Sequence, residues 1–139
     1  MTTPSLVGAP SLVGTWALVR GTLTAADGTT LPAPYGPMGM GRVSFTADGR
    51  MMAVVCDTRT QLPAGVAREY NSYCGTYTFD GRRLVTRVFA NSDPARLGAD
   101  QIRDIHFEGK YLIMRPPPIT AVGKPALQRE IWWEKIADV

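Results

Sequence analysis

Gly14-Thr15-Trp16-Ala17-Leu18-Val19 and Ile131-Trp132-Trp133-Glu134-Lys135-Ile136 stand at opposite ends of a 139-residue chain, and both read as β-strands. Each carries a large indole among apolar and β-branched neighbours, the composition of a packed strand. The glycine before Thr15 lets the backbone bend sharply where Trp16 must turn under a sheet. Bulky apolar strands at both ends predict a sheet whose first and last strands meet. Such a sheet closes on itself and leaves no open edge.

Between these ends, strand-like runs alternate with turn signals. Residues 15–24 run to Ala26-Asp27-Gly28, and a Pro- and Gly-rich connection occupies residues 31–41. Residues 42–46 and 51–56 flank Asp48-Gly49, residues 73–79 and 83–90 flank Asp80-Gly81, and residues 101–107 and 110–115 flank Glu108-Gly109. These are three hairpins. Residues 64–70 read as a short helix or a lid, residues 91–100 as a loop, Pro116-Pro117-Pro118 as a rigid turn, and residues 127–136 as the last strand. Residues 1–11 read as a tail ahead of a single domain spanning 12–139. Ser5-Leu6-Val7-Gly8 repeats as Ser11-Leu12-Val13-Gly14, but only the second copy continues into Thr15-Trp16. Residues 12–14 suit a short helical turn. No amphipathic helical pattern of useful length occurs. About eight strands joined as consecutive hairpins predict an all-β, antiparallel up-and-down barrel with room for one small ligand.

Composition narrows the function classes. The apolar fraction is 45% and the charged fraction 19%, as in a soluble globular domain. Net charge is +3 with no basic run, too mild for a nucleic-acid partner. Cys56 and Cys74 make no disulfide framework, and one histidine in the whole chain argues against a metal site. No signal peptide or membrane span is visible, so the expected location is the cytoplasm. No cofactor fingerprint or nucleophile elbow is present. The expected partner is a small-molecule ligand or substrate, with no nucleic acid and no membrane, and the chain is expected as a monomer or a homodimer.

The order and spacing of several short motifs resemble the bacterial lipocalin-like domain family. They are Leu12-Val13-Gly14-Thr15-Trp16 with Leu18, Pro34-Tyr35-Gly36, Gly41-Arg42, Asp48-Gly49-Arg50-Met51 and Tyr73 with Gly75-Thr76-Tyr77. Asp80-Gly81, Gly98, Asp100-Gln101, Arg103, Leu112, Pro116-Pro117, Gly123 and Trp133-Glu134-Lys135 continue the pattern. The resemblance covers residues 12–136. It implies a small calycin-type barrel with an apolar central cavity, and it implies Lys135 packed on Trp16. It implies no single activity, since related barrels include carriers and cofactor-free enzymes. Relatives often carry histidines where this chain reads Thr86-Arg87, so histidine chemistry at that strand is not expected here.

Period-two alternation then assigns faces. Tyr73, Gly75, Tyr77 and Phe79 share one face of their strand, taken as the inner one. Gln101, Arg103, Ile105 and Phe107 share another mixed face suited to a cavity, with Asp104 and His106 on the opposite, solvent side. Arg103 is the sharpest candidate. A guanidinium among apolar neighbours is costly unless paired, and a carboxylate, phenolate or enolate would pair it. An internal salt bridge to Glu130 or Glu134 is the alternative. Tyr73, Asp104 and His106 are the other candidates for proton transfer. Tyr77, Arg87, Gln101, Phe89, Met52 and Tyr35 are candidates for ligand contact, Tyr35 as a lid across the barrel mouth. The face of the Arg87 strand is undecided by alternation. The reading is a barrel that binds a small, mostly apolar molecule with a polar or anionic end. The alternative is a cofactor-free isomerase, cyclase, lyase or hydratase acting on such a molecule.

Overall fold

Ten antiparallel strands carry residues 11–139, the part of the chain that the computed structural model describes. They are β1 (Gly14–Ala25), β2 (Thr30–Leu31), β3 (Gly39–Phe45), β4 (Arg50–Asp57), β5 (Tyr70–Phe79), β6 (Arg83–Asn91), β7 (Asp100–Glu108), β8 (Tyr111–Arg115), β9 (Ile119–Ala121) and β10 (Lys124–Ala137). The sheet order is β2-β1-β3-β4-β5-β6-β7-β8-β10-β9, and β1 also pairs with β10. That last pairing closes an eight-stranded barrel, with the short β2 and β9 as flaps on its rim. The expected closure of the first strand on the last is therefore the fold, and the three Asp-Gly or Glu-Gly hairpins join β3 to β4, β5 to β6 and β7 to β8.

The interior follows the alternation of apolar side chains. Val43, Phe45, Met51, Ala53, Val55, Leu84, Ile105, Leu112, Met114, Ile131 and Trp133 are buried in one cluster with Trp16 and Leu12. On β4 this means Met51, Ala53, Val55 and Asp57 point inward while Met52 and Val54 face out. Gly14 is required where β1 meets the chain end, because a Cβ there would lie 2.5 Å from the carbonyl oxygen of Ala137.

Two local expectations change. Residues 11–13 form no helical turn; they run irregularly into β1, and the Leu12 carbonyl accepts a 2.9 Å hydrogen bond from Trp16 Nε1. That side-chain bond, four residues on, satisfies the carbonyl that a helical turn would have satisfied through the backbone. Residues 64–69 form no helix either, only a turn at Ala64–Gly65 followed by irregular chain that leads into β5. A short 3-10 turn, Pro94–Arg96, sits inside the segment read as loop, and the Asp93 side chain caps it by accepting from the Ala95 amide. The expected tail at residues 1–11, including Ser5-Leu6-Val7-Gly8, lies outside the described residues except for Ser11. Among the described residues no helix is long and apolar enough to cross a membrane.

Candidate functional site

Aromatic rings seal one end of the barrel. Trp16 packs near Phe107 with ring centroids 6.5 Å apart, and Phe107 meets Phe79 edge-on at 6.3 Å. Phe45 and Tyr77 form a T-shaped pair at 5.0 Å, and the Tyr77 hydroxyl donates to the Thr46 carbonyl at 2.8 Å. Lys135 Nζ stands 5.4 Å from the Trp16 ring centroid, a cation–π contact that caps this floor. The interior above it is open. A cavity of about 480 Å³ is lined by Val55, Val88, Met114, Ile131 and Trp133 in its body. Tyr35, Asn71, Tyr73, Arg96, Gln101, Arg103 and Arg129 line it further towards the rim. That volume lies within the range of small-molecule pockets.

The polar part of this wall is unusual in its charge. Three guanidiniums, Arg96, Arg103 and Arg129, line the cavity, against one carboxylate, Asp100. Asp100 is already engaged outside by Arg87 at 2.6 Å. Arg96 has Asp93 at 3.5 Å and Arg129 has Glu69 at 3.8 Å, both contacts partly in water. Among the described residues Arg103 has no carboxylate partner. One of its Nη atoms donates to the neighbouring Ile102 carbonyl at 2.7 Å. Burial pulls the Arg103 guanidinium below its ordinary value, helped by the charges of Arg96 and Arg129, while the two tyrosines oppose the change. It nevertheless remains cationic at neutral pH, since an arginine starts far above it.

Tyr73 and Tyr35 complete the wall. Burial pushes both phenols above 10; Arg103 opposes it at Tyr73, and Arg129 opposes it at Tyr35. Both are therefore neutral hydroxyls able to donate or accept a hydrogen bond. Tyr35 is held in a strained left-handed conformation, φ 64°, alone in this among the non-glycine described residues. Its amide donates to Glu69 Oε1 at 3.1 Å, and its ring lies 6.0 Å from the Arg129 guanidinium carbon. The strap that carries Tyr35 rests on Asp57. That carboxylate is buried at the end of β4 and takes hydrogen bonds from Arg59 Nε and Nη2, the latter at 2.6 Å. Arg68 donates to the Asp57 and Arg59 carbonyls and ties the following segment to the same point.

The structure brings Arg103, Tyr73, Gln101 and Tyr35 together on the cavity wall. It places the others elsewhere. Asp104 and His106 are exposed on the outer face of β7, so they do not meet a molecule in the cavity. Arg87 and Phe89 also face out, because Leu84, Thr86 and Val88 take the inner face of β6. Met52 is exposed, and Met51 is the inward methionine. Tyr77 belongs to the floor rather than the cavity. Gly75 serves the coiling of its strand rather than ligand space. A Cβ there would lie 1.9 Å from the Arg87 carbonyl oxygen, at the bulge between β5 and β6. Glu130 and Glu134 pair with Arg115 and Lys110 instead of Arg103.

Sequence reasoning missed Arg129 and Arg96. The signal for Arg129 was available: it alternates with Ile131 and Trp133 on β10, and all three line the cavity. Arg96 sits in the 3-10 turn, which alternation cannot place.

The model of the lipocalin-like domain family matches residues 13–136. The chain belongs to that family. A search of curated proteins finds no match.

Proposed function

We propose that this lipocalin-like domain holds one small, mostly apolar molecule whose anionic end lies against Arg103. The observation that carries the reading is a guanidinium in the wall of a mixed polar and apolar cavity that no carboxylate among the described residues pairs. A charge so placed costs free energy until an anion meets it, and a planar carboxylate can meet a guanidinium through two parallel hydrogen bonds. Arg129 and the Tyr73 hydroxyl stand where they can share that anion, and Val55, Val88, Met114 and Ile131 supply the apolar body of the site. Affinity for the body scales with buried apolar area, at about 25 cal/mol per Å².

The same wall favours holding an anion over removing a proton from one. Its charged groups are three guanidiniums and one carboxylate that is ion-paired to Arg87, and Asp104 and His106 lie outside. Tyr73 would remove a proton only as a phenolate, a form that burial disfavours.

Calorimetric titration with decanoate and with decanol tests the reading. Decanoate should bind about tenfold or more tightly than decanol. Arg103→Leu should weaken decanoate about 10- to 100-fold, the usual worth of a hydrogen bond to a charged group, and leave decanol nearly unchanged. Equal binding of acid and alcohol, or an Arg103→Leu protein that keeps full affinity for decanoate, defeats it.

A further inference from the structure

A second concavity, of about 610 Å³, opens on the outer wall of the barrel, where β3, β4, β5 and the end of β6 lie side by side. Register sets Ser44, Met52, Cys74 and Ala90 in one outward row across these strands. Arg42, Val54 and Ser72 form the next row, and Ser92 extends it, its amide donating to the Ser72 carbonyl at 2.8 Å. Met40, Cys56 and Tyr70 form a third. Met52 is 66% exposed and Tyr70 54%, so both project from the face. One charged residue, Arg42, lines the groove. Among the described residues it has no carboxylate partner, and one Nη atom donates to the Gly41 carbonyl at 2.8 Å.

The opposite wall of the barrel is different. There Lys110 pairs with Glu134 at 3.0 Å, Arg115 pairs with Glu130 at 2.5 Å, and the Arg20 guanidinium lies 3.9 Å from the Trp132 ring centroid. Those charges are answered within the sheet, as on a face that meets water. A face depleted of charge and set with exposed methionine, valine and tyrosine has the composition of an interface core instead.

The rows decide what covers it. In a two-fold dimer the same face meets itself. Sheets packed face to face stand about 10 Å apart with their strands nearly aligned. A two-fold axis lying in the face, along the strands and between β4 and β5, sets β4 over the partner's β5 and β3 over its β6. In each row a large side chain then meets a small one: Met52 over the partner's Cys74, Val54 over the partner's Ser72, Tyr70 over the partner's Cys56. Arg42 comes over the partner's Ser92, next to which Asp93 carries a half-exposed carboxylate. An axis across the strands stacks Arg42 on Arg42, which like charge opposes. We infer that this outer face is the interface of a homodimer built on the axis along the strands. About a dozen residues line the groove, fewer than the roughly 20–30 a side of a standard interface, so the dimer belongs to the weak, reversible class. Its formation requires no ligand in the interior cavity.

Sedimentation velocity on the full chain tests this, with the dimer fraction rising as concentration goes from about 5 to about 500 µM, the range of a weak interface. Val54→Glu, which puts two carboxylates beside the axis, should weaken association about tenfold or more while the circular dichroism of the barrel stays unchanged. Crosslinking gives a second reading that does not depend on that variant. In a Cys56→Ser, Cys74→Ser background, Arg42→Cys combined with Ser92→Cys should give a covalent dimer on oxidation. Within one chain those two positions are three strand spacings apart, about 14 Å, beyond the reach of a disulfide. Glu134→Cys on the opposite wall, in the same background, should stay largely monomeric. A wild-type chain that remains monomeric at every concentration overturns the inference and leaves the groove to a different partner. A dimer that survives Val54→Glu, or a cysteine pair that crosslinks no better than Glu134→Cys, puts the interface elsewhere and overturns it as well.

Discussion

Single residues set the tightest constraints in this barrel, and two of them make separable predictions. Gly75 sits where β5 bulges against β6, with the Arg87 carbonyl oxygen 1.9 Å from where a Cβ would stand. The obstacle is backbone, which cannot swing aside as a side chain can. Gly75→Ala should cost about 3 kcal/mol or more in urea unfolding, at the upper end of overpacking effects. Tyr73 makes a prediction about alkali. Its folded value lies above the ordinary 10 because burial opposes the phenolate. The folded state thus prefers the protonated phenol, so its contribution to stability is complete below pH 10 and is lost as pH rises through the folded value. An ultraviolet titration of tyrosine ionisation should show a late phase above pH 10, which Tyr73→Phe shortens.

At the scale of elements, the end of β4 and the strap that follows β2 depend on one ion pair. Asp57 is 1% exposed, and the Arg59 hydrogen bonds hold its carboxyl below the usual 3.8. A lowered folded value places the stabilisation above the unfolded value: it is complete above about pH 3.8 and is lost as pH falls through the folded one. Asp57→Asn should therefore lower the denaturant midpoint most at neutral pH. The gap to wild type should narrow as the buffer is taken towards pH 2, where the wild-type carboxyl is protonated as well. The same element scale shows why β6 was illegible. Val85, Arg87 and Phe89 alternate as regularly as Leu84, Thr86 and Val88. Each set mixes apolar and polar side chains, so hydrophobic pattern does not choose between them. The bulge at Gly75 and pairing with β5 choose, and they turn Arg87 out to Asp100.

At the scale of the whole molecule, closure is the decisive event. β1 and β10 pair along most of their lengths, from Thr15 with Ala137 to Ala25 with Leu127. This joins the two ends of the described chain across more than a hundred residues, a contact that forms late because loop closure precedes its reward. A chain ending at Gly123 loses β10, leaves β1 and β8 as open edges and unroofs the cavity. It should be recovered as aggregate, while the full chain is monodisperse by size-exclusion chromatography. Closure also explains where the cavity lies. The aromatic end, with Lys135 on Trp16, is filled, so the interior cavity opens above it.

The sequence by itself determined the antiparallel barrel of about eight strands, its hairpins and its closing strands, because these follow from local turn chemistry and period-two alternation. Arg103, Tyr73 and Gln101 were legible as residues of the cavity wall for the same reason: their strands state a clear inner face, while Tyr35 was legible only as a loop residue near the barrel mouth. Only the tertiary structure decided that Arg129 lines the same cavity as Arg103, that Asp104 and His106 look away from it, and that Arg87 belongs to the outside. Those facts depend on register between strands far apart in the chain, and a single residue of slip moves a side chain from one face of a barrel to the other.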